Sequence, residues 1–190
     1  MRILFMGTPD FAVPSLEALL NAGHEICGVF TQPDKPKNRG MKLQAPPVKE
    51  FALAHNIPVY QPENVKDGTA MDLIQQLAPE LIAVAAYGRI LPVDILEYPA
   101  YGCINVHSSL LPKYRGASPI NACILHGETE AGVTIMQMDA GLDTGDMLIK
   151  RTVVIAEDDT AETLYDKLAE EGGVLIKEVV NRLLAGETLP

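Results

Sequence analysis

Asn105-Val106-His107 closes a short apolar stretch, Gly102 to His107, that reads as a strand. Strand alternation puts Asn105 and His107 on one face and Val106 on the other. A carboxamide and an imidazole side by side can hold a carbonyl oxygen and move a proton next to it. On spacing alone, a single histidine at a strand end is more often structural than catalytic. A metal centre is not indicated, because no second His, Cys or carboxylate stands at ligand spacing. A carboxylate for the pair can come from Met138–Asp146, which packs three aspartates and two glycines into nine residues. Asp and Gly are also what a plain hairpin turn requires. Two readings therefore stand: a turn, or a loop whose Asp143 orients His107 and favours its charged form. Between these segments, Ser108 to Gly116 carries Leu110 and Leu111 in tandem, which a mere connector does not need.

The elements that must position these residues alternate along the chain. Ile3–Met6, Glu25–Thr31, Pro58–Tyr60, Leu81–Ala86 and Gly102–His107 read as strands, several of them continuously apolar as strands covered on both faces are. Helical spacing runs through Phe11 to Ala22 and stops at Gly23, and Pro46-Pro47 opens a helix to about His55. Further helices are predicted over Asp67–Leu77, Val93–Glu97 and Ser118–His126, and one opens at Thr160. Gly132–Met138 and Met147–Ile155 suggest a closing pair of strands. The expected fold is α/β: a Rossmann-like open, mostly parallel sheet with helices on both faces and a closing antiparallel strand pair. Ligands in such sheets lie beyond the carboxyl ends of the strands. The first of those ends, Gly7-Thr-Pro-Asp-Phe11, is neither a G-x-G-x-x-G turn nor a P-loop, and Pro9 removes an amide donor. It serves as a tight turn or as a substrate contact; a nicotinamide site is not expected.

The chain has 190 residues, 47% hydrophobic and 21% charged, which suits one domain with a sizeable core. Fifteen basic against twenty-five acidic residues leave a net charge of −10. Such a surface repels nucleic acid as a whole, so any RNA contact must be local. One stretch, Gln32 to Lys42, is basic: Lys35, Lys37, Arg39 and Lys42 stand against Asp34. A charge run is usually a solvated loop, but this length and Pro/Gly content suit a projecting arm. Cys27, Cys103 and Cys123 form no C-x-x-C pair, and no run reaches the ~18 apolar residues of a membrane span. A soluble cytoplasmic protein is expected, without a membrane partner.

Taken together, Asn105-x-His107, Ser109-Leu-Leu-Pro112 and Asp143 within Met138–Asp146 resemble the folate-dependent formyltransferases. Gly7-Thr-Pro-Asp-Phe-Ala12 and Arg115-Gly-Ala-Ser-Pro-Ile120 are similar to the branch of that family that formylates methionyl-tRNA. The resemblance runs along essentially the whole chain. It implies that 10-formyltetrahydrofolate is the formyl donor, with no metal, and that initiator methionyl-tRNA is the acceptor. It implies a catalytic trio of Asn105, His107 and Asp143. Folate is then expected against Tyr87, Gly88, Arg89, Ile90 and Leu91, along Ser109, Leu110, Leu111 and Pro112, and beside Asp139. The arm over 35–42 is expected to meet tRNA through Lys37, Arg39 and Lys42, with Phe11 at the methionine side chain. Residues 1–190 are expected to form the catalytic domain of a monomer, without the basic C-terminal tRNA-binding domain of that family. Related alternatives are a purine-pathway or sugar-nucleotide amine formyltransferase and a formyl-folate hydrolase. A non-catalytic folate- or nucleotide-binding module is the alternative of another class.

Overall fold

The structure is a computed structural model that describes residues 1–37, 42–108, 129–140 and 145–187. Seven strands form one sheet in the order β5-β2-β1-β6-β7-β8-β9. Here β1 is Arg2–Gly7, β2 Glu25–Phe30, β5 Val59–Tyr60, β6 Leu81–Ala85 and β7 Cys103–His107. These five run parallel, and β8 (Glu130–Gln137) and β9 (Met147–Val154) close the sheet antiparallel. The expected α/β architecture, with helices on both faces and a closing antiparallel pair, is the one observed.

Parallel strands need covering on both faces, and two apolar clusters supply it. Ile3 and Phe5 of β1, Ala83 of β6 and Ile104 and Val106 of β7 point one way, against α1 (Val13–Asn21), α2 (Pro47–Ala54) and α5 (Ala161–Leu184). Leu4 and Met6, Ile82 and Val84, and Cys103 point the other way, against α3 (Thr69–Leu77) and α4 (Val93–Glu97). The apolar spacing of α5 accounts for its place: Leu164, Leu168, Leu175, Ile176, Val179 and Val180 are all buried. Thr160 caps it, accepting from the Thr163 amide while the Thr163 hydroxyl accepts from the Thr160 amide. Within α5, Gly172-Gly173 costs helix propensity, about 1 kcal/mol per glycine against alanine. Close packing requires it nonetheless, since a Cβ on Gly173 would lie 2.7 Å from the Pro14 carbonyl oxygen of α1.

One expected loop is partly regular. Lys35–Lys37 (β3) and Lys42–Gln44 (β4) pair antiparallel as a small ribbon apart from the main sheet. Lys, Pro and Gln carry little strand propensity, so nothing in the composition announced it. Pro36 is tolerated because a two-stranded ribbon consists of edges. The helix expected over Ser118–His126 lies outside the described residues.

Two ionisable groups on the scaffold set an acid limit. His24 is buried between the N-terminus and α5, its Nε2 3.1 Å from Asn181 Oδ1 and its Nδ1 3.4 Å from the Met1 amine. Burial pushes its imidazole below the ordinary ~6.5, outweighing the Asn181 hydrogen bond. A lowered folded value means the native state prefers the neutral ring. Its stabilisation is complete above ~6.5 and is lost as pH falls through the folded value. Asp159 is held at about 2, first by Lys167 and then by the Ala156 amide and Thr163 hydroxyl, so its contribution is lost only in stronger acid. We expect urea midpoints of the wild type to fall between pH 7 and pH 5 more steeply than those of His24→Gln. Parallel pH curves for the two proteins would remove His24 from the account.

Candidate active site at the carboxyl edge of the sheet

The face assignments fix where β7 aims its polar side chains. Ile104 and Val106 belong to the α1/α2/α5 cluster and Cys103 to the α3/α4 cluster. Asn105 and His107 therefore share the α3/α4 side, as alternation predicts. Asn105 is half-buried and His107 only 7% exposed. Val84 of β6 flanks Asn105 in register, and Met136 and Thr134 of β8 stand opposite Asn105 and His107. Cys103 shares their face but is no nucleophile: burial pushes its thiol up to about 12, so the reactive thiolate is scarce at neutral pH.

A segment leaving β8 approaches this same face. The Met138 amide donates to the Cys103 carbonyl at 2.9 Å, and the Met138 side chain packs on the α3/α4 cluster. The neck of the segment is closed by the Gln137 amide donating to the Asp146 carbonyl at 2.7 Å, and Gln137 Nε2 donates to Cys103 at 3.1 Å. Gly145 occupies that neck, where a Cβ would overlap the Gln137 carbonyl oxygen. Asp139 is exposed beyond the neck. Asp143 lies outside the described residues, as do Ser109, Leu110, Leu111 and Pro112.

Beside β7, the chain leaves β6 through a strained turn. Ala86 has φ +51° and Gly88 φ +86°, two left-handed residues around Tyr87. Gly88, Arg89 and Ile90 are exposed, Ile90 at 64%. Tyr87 and Leu91 turn inward into the α3/α4 cluster. So Ile90 is the apolar side chain this turn offers to a ligand, and Tyr87 presents its backbone. The Tyr87 hydroxyl is buried with no hydrogen-bond partner among the described residues, and burial pushes it up to about 12.

Behind the turn stands a polar network that sequence reasoning missed. Gln32 Nε2 donates to the carbonyls of Tyr87 and Gly88, both at 3.1 Å, and Gln32 Oε1 accepts from Arg89 Nε at 3.0 Å. Asp34, at the foot of β3, accepts from Lys49 Nζ of α2 and from Gln61 Nε2 at 2.7 Å. Those two donors, the amide first, hold the Asp34 carboxyl below its ordinary value. Gln32 and Gln61 follow the ends of β2 and β5, so their place just past a strand was the available signal. Lys49, in the first turn of α2, offered none.

Phe11 falls elsewhere. The Asp10–Ala12 3-10 turn tucks its ring into the opposite cluster, edge-to-face with Tyr165 at 5.4 Å. The structure therefore does not bring it onto the face of Asn105 and His107. Lys37 and Lys42 pair in the ribbon, and Arg39 between them lies outside the described residues.

The sheet, with a carboxamide and an imidazole side by side at its carboxyl edge and a tight glycine turn beside them, is of the doubly wound α/β class, in which ligands lie beyond the carboxyl ends of the strands. The chain matches the Formyl transferase family over residues 1–180 and belongs to that family. It is 54% identical over 187 residues to the methionyl-tRNA formyltransferase of Geobacter sulfurreducens, covering 98% of this chain and 59% of that one. To the methionyl-tRNA formyltransferase of Caldanaerobacter subterraneus it is 56% identical over 191 residues, 100% of this chain and 62% of that one. The chain thus spans about three-fifths of the length of these curated relatives. A crystal structure of phosphoribosylglycinamide formyltransferase from Bacillus halodurans superposes with TM-score 0.78 at 28% identity, covering 97% of this chain and 95% of that chain. Among the described residues no helix is long and apolar enough to cross a membrane.

Proposed function

We infer that this chain transfers the formyl group of 10-formyltetrahydrofolate to the α-amine of methionyl initiator tRNA. The observation that carries this reading is the shared placement of Asn105 and His107, side by side at the sheet's edge, in a chain more than half identical to relatives of that name.

Residue chemistry supports the step. As the amine adds to the formyl carbon, the carbonyl oxygen gathers negative charge. Asn105 and a protonated His107 donate to that oxygen, and such donors are worth ~2.7–4 kcal/mol each. Asp143 holds the imidazolium and passes the amine's proton, through water, to the departing folate nitrogen. An α-amine titrates near ~8, so much of it is already neutral and no strong base is required. Chain length permits Asp143 to take part. It stands five positions past Met138 but only two before Gly145, so its Cα stays within ~7 Å of Gly145 and its carboxylate reaches toward His107 from the neck. The pterin lies against Gly88, Arg89 and Ile90, with Asp139 across from them, and the rest of the folate runs along Ser109 to Pro112. Exposed backbone at Gly88 and the Ile90 side chain fit such a ligand, which needs both amide partners and an apolar wall.

The arm is read as the RNA contact. Lys37 and Lys42 are directly paired in the ribbon, and Arg39 stands between them in the sequence. In a chain of net charge −10, tRNA affinity then depends heavily on these few cations. Replacing Arg39 and Lys42 together by alanine is expected to lower tRNA-dependent turnover about tenfold or more and to flatten its salt dependence, with folate affinity unchanged. Loss of folate affinity instead would assign the arm to the pocket. Two buried free thiols, Cys27 and Cys103, suit the reducing cytoplasm proposed for the protein.

The acceptor is tested by offering labelled formyl donor to charged initiator tRNA, to glycinamide ribonucleotide and to water. Label is expected on the tRNA's methionine. Equal or faster transfer to the ribonucleotide, or release as formate, would contradict the assignment.

A further inference from the structure

Gln32 is held on every side. Its amide nitrogen donates to Thr8 Oγ1 at 3.2 Å, and its carbonyl accepts from Gln61 Nε2 at 3.0 Å and from the Thr31 hydroxyl at 3.0 Å. Gln61 is itself fixed, since its Oε1 accepts from Lys49 Nζ at 2.9 Å. The backbone of Gln32 is thus a rigid post just beyond β2, tied to the loop after β1, to the end of β5 and to α2.

From that post the side chain reaches across β1 to the turn that follows β6. One amide group satisfies three partners there: the carbonyls of Tyr87 and Gly88 through Nε2, and Arg89 Nε through Oε1. Thr8 Oγ1 adds a second donor to the Tyr87 carbonyl at 3.2 Å. The turn needs such a hold. Ala86 at φ +51° is a non-glycine residue in the left-handed region, a conformation that persists only where surroundings over-determine it. Gly88 fits for two reasons: its φ is +86°, and a Cβ on it would lie 2.9 Å from Gln32 Nε2. No other amino-acid side chain supplies two donors and an acceptor on one planar group at this length.

We propose that Gln32 is a positioning residue for formyl-donor binding: it fixes the Ala86–Arg89 turn and aims the Arg89 guanidinium, without itself touching the donor. This rests on the folate reading given above for Gly88, Arg89 and Ile90. Gln32 acts through the turn, so its contribution and that of Arg89 are coupled rather than independent. A residue that merely supported the fold would add its effect to that of Arg89.

The test is a double-substitution cycle read by binding of 10-formyl-5,8-dideazafolate, a stable formyl-donor analogue, to the full chain. Gln32→Met keeps length and volume but removes all three side-chain bonds. It is expected to weaken the analogue about tenfold, on the order of 1.4 kcal/mol. In an Arg89→Met background the same change is expected to cost less than threefold. Amide exchange at Gly88 and Arg89 should speed up in Gln32→Met, with exchange in β7 unchanged. If Gln32→Met does not fold, Gln32→Glu serves: it keeps the acceptor for Arg89 but sets a carboxylate against two carbonyls, and is also expected to bind more weakly. Wild-type affinity in either folded variant, or strictly additive losses with Arg89→Met, overturns the proposal while leaving the folate site in place. Failure of the unsubstituted chain to bind the analogue overturns the folate reading itself.

Discussion

His107→Ala is expected to lower formyl transfer by about 10²–10⁴-fold while binding of the formyl-donor analogue changes little. The lower end follows from the lost oxyanion donor, worth about 10²–10³-fold where measured, and the upper end from losing with it the imidazolium against which Asp143 is held as proton relay. Binding should survive because the groups proposed to face the pterin, Gly88, Arg89 and Ile90, stand on a different strand end, past β6 rather than β7. Folding should survive as well. His107 is the last residue of β7, and its backbone pairing with β8 opposite Thr134 does not depend on the ring. Asn105→Ala should show the same pattern with a loss nearer 10²–10³-fold. Single-turnover transfer with the donor saturating separates chemistry from binding. A rate within a factor of three of wild type would remove His107 from the chemistry.

Gly145→Ala is expected to be the most damaging single-methyl change near the site. A Cβ there would overlap the Gln137 carbonyl oxygen outright and lie 2.7 Å from its carbon, and both are backbone atoms with no rotamer to yield. Gln137 is the residue whose amide closes the neck on Asp146. Relief therefore requires opening the neck and losing that hydrogen bond. Overpacking against backbone costs about 3 kcal/mol, and the segment that carries Asp143 is displaced along with it. The expected readings are a lower urea midpoint and transfer reduced by 10²-fold or more, an effect consistent with misplacement of a catalytic group by about 1 Å. Native stability and native turnover in this variant would show that the neck does not set the position of Asp143.

Much of this arrangement was legible from residue types alone. Continuous apolar runs at Ile3–Met6 and Leu81–Ala86 led directly to parallel strands covered on both faces, because burial on both sides leaves no polar alternation. Asn105 and His107 could be placed on one face since strand period is fixed at two. The resemblance added what spacing could not, namely the substrate class and the link to Asp143. What stayed hidden was tertiary. Tyr87 and Leu91 point inward and Ile90 outward because the left-handed residues Ala86 and Gly88 reverse the chain, and a positive φ at an alanine leaves no mark in composition. Phe11 packs in one cluster with Leu16 and Leu19, where its helical spacing puts it, and the expected methionine contact rested on the resemblance alone. The Lys35–Gln44 ribbon escaped notice since Lys-Pro-Lys and Lys-Leu-Gln lack the β-branched residues that mark strands. Gln32 and Asp34 share the connection after β2, Lys49 belongs to α2 and Gln61 follows β5, so their meeting depends on the packing of α2 and β5 beside β2.

The central claim is that the donor's formyl carbon rests against Asn105 and His107. It is tested most directly by nuclear Overhauser contacts from a ¹³C-labelled formyl group of the dideazafolate analogue, bound to the isotopically labelled chain. Contacts are predicted to the His107 ring protons and the Asn105 side-chain amide, with further contacts from the pterin-like ring to Ile90. Formyl contacts confined to the Phe11–Tyr165 side of the sheet, with none to His107 or Asn105, would contradict the account.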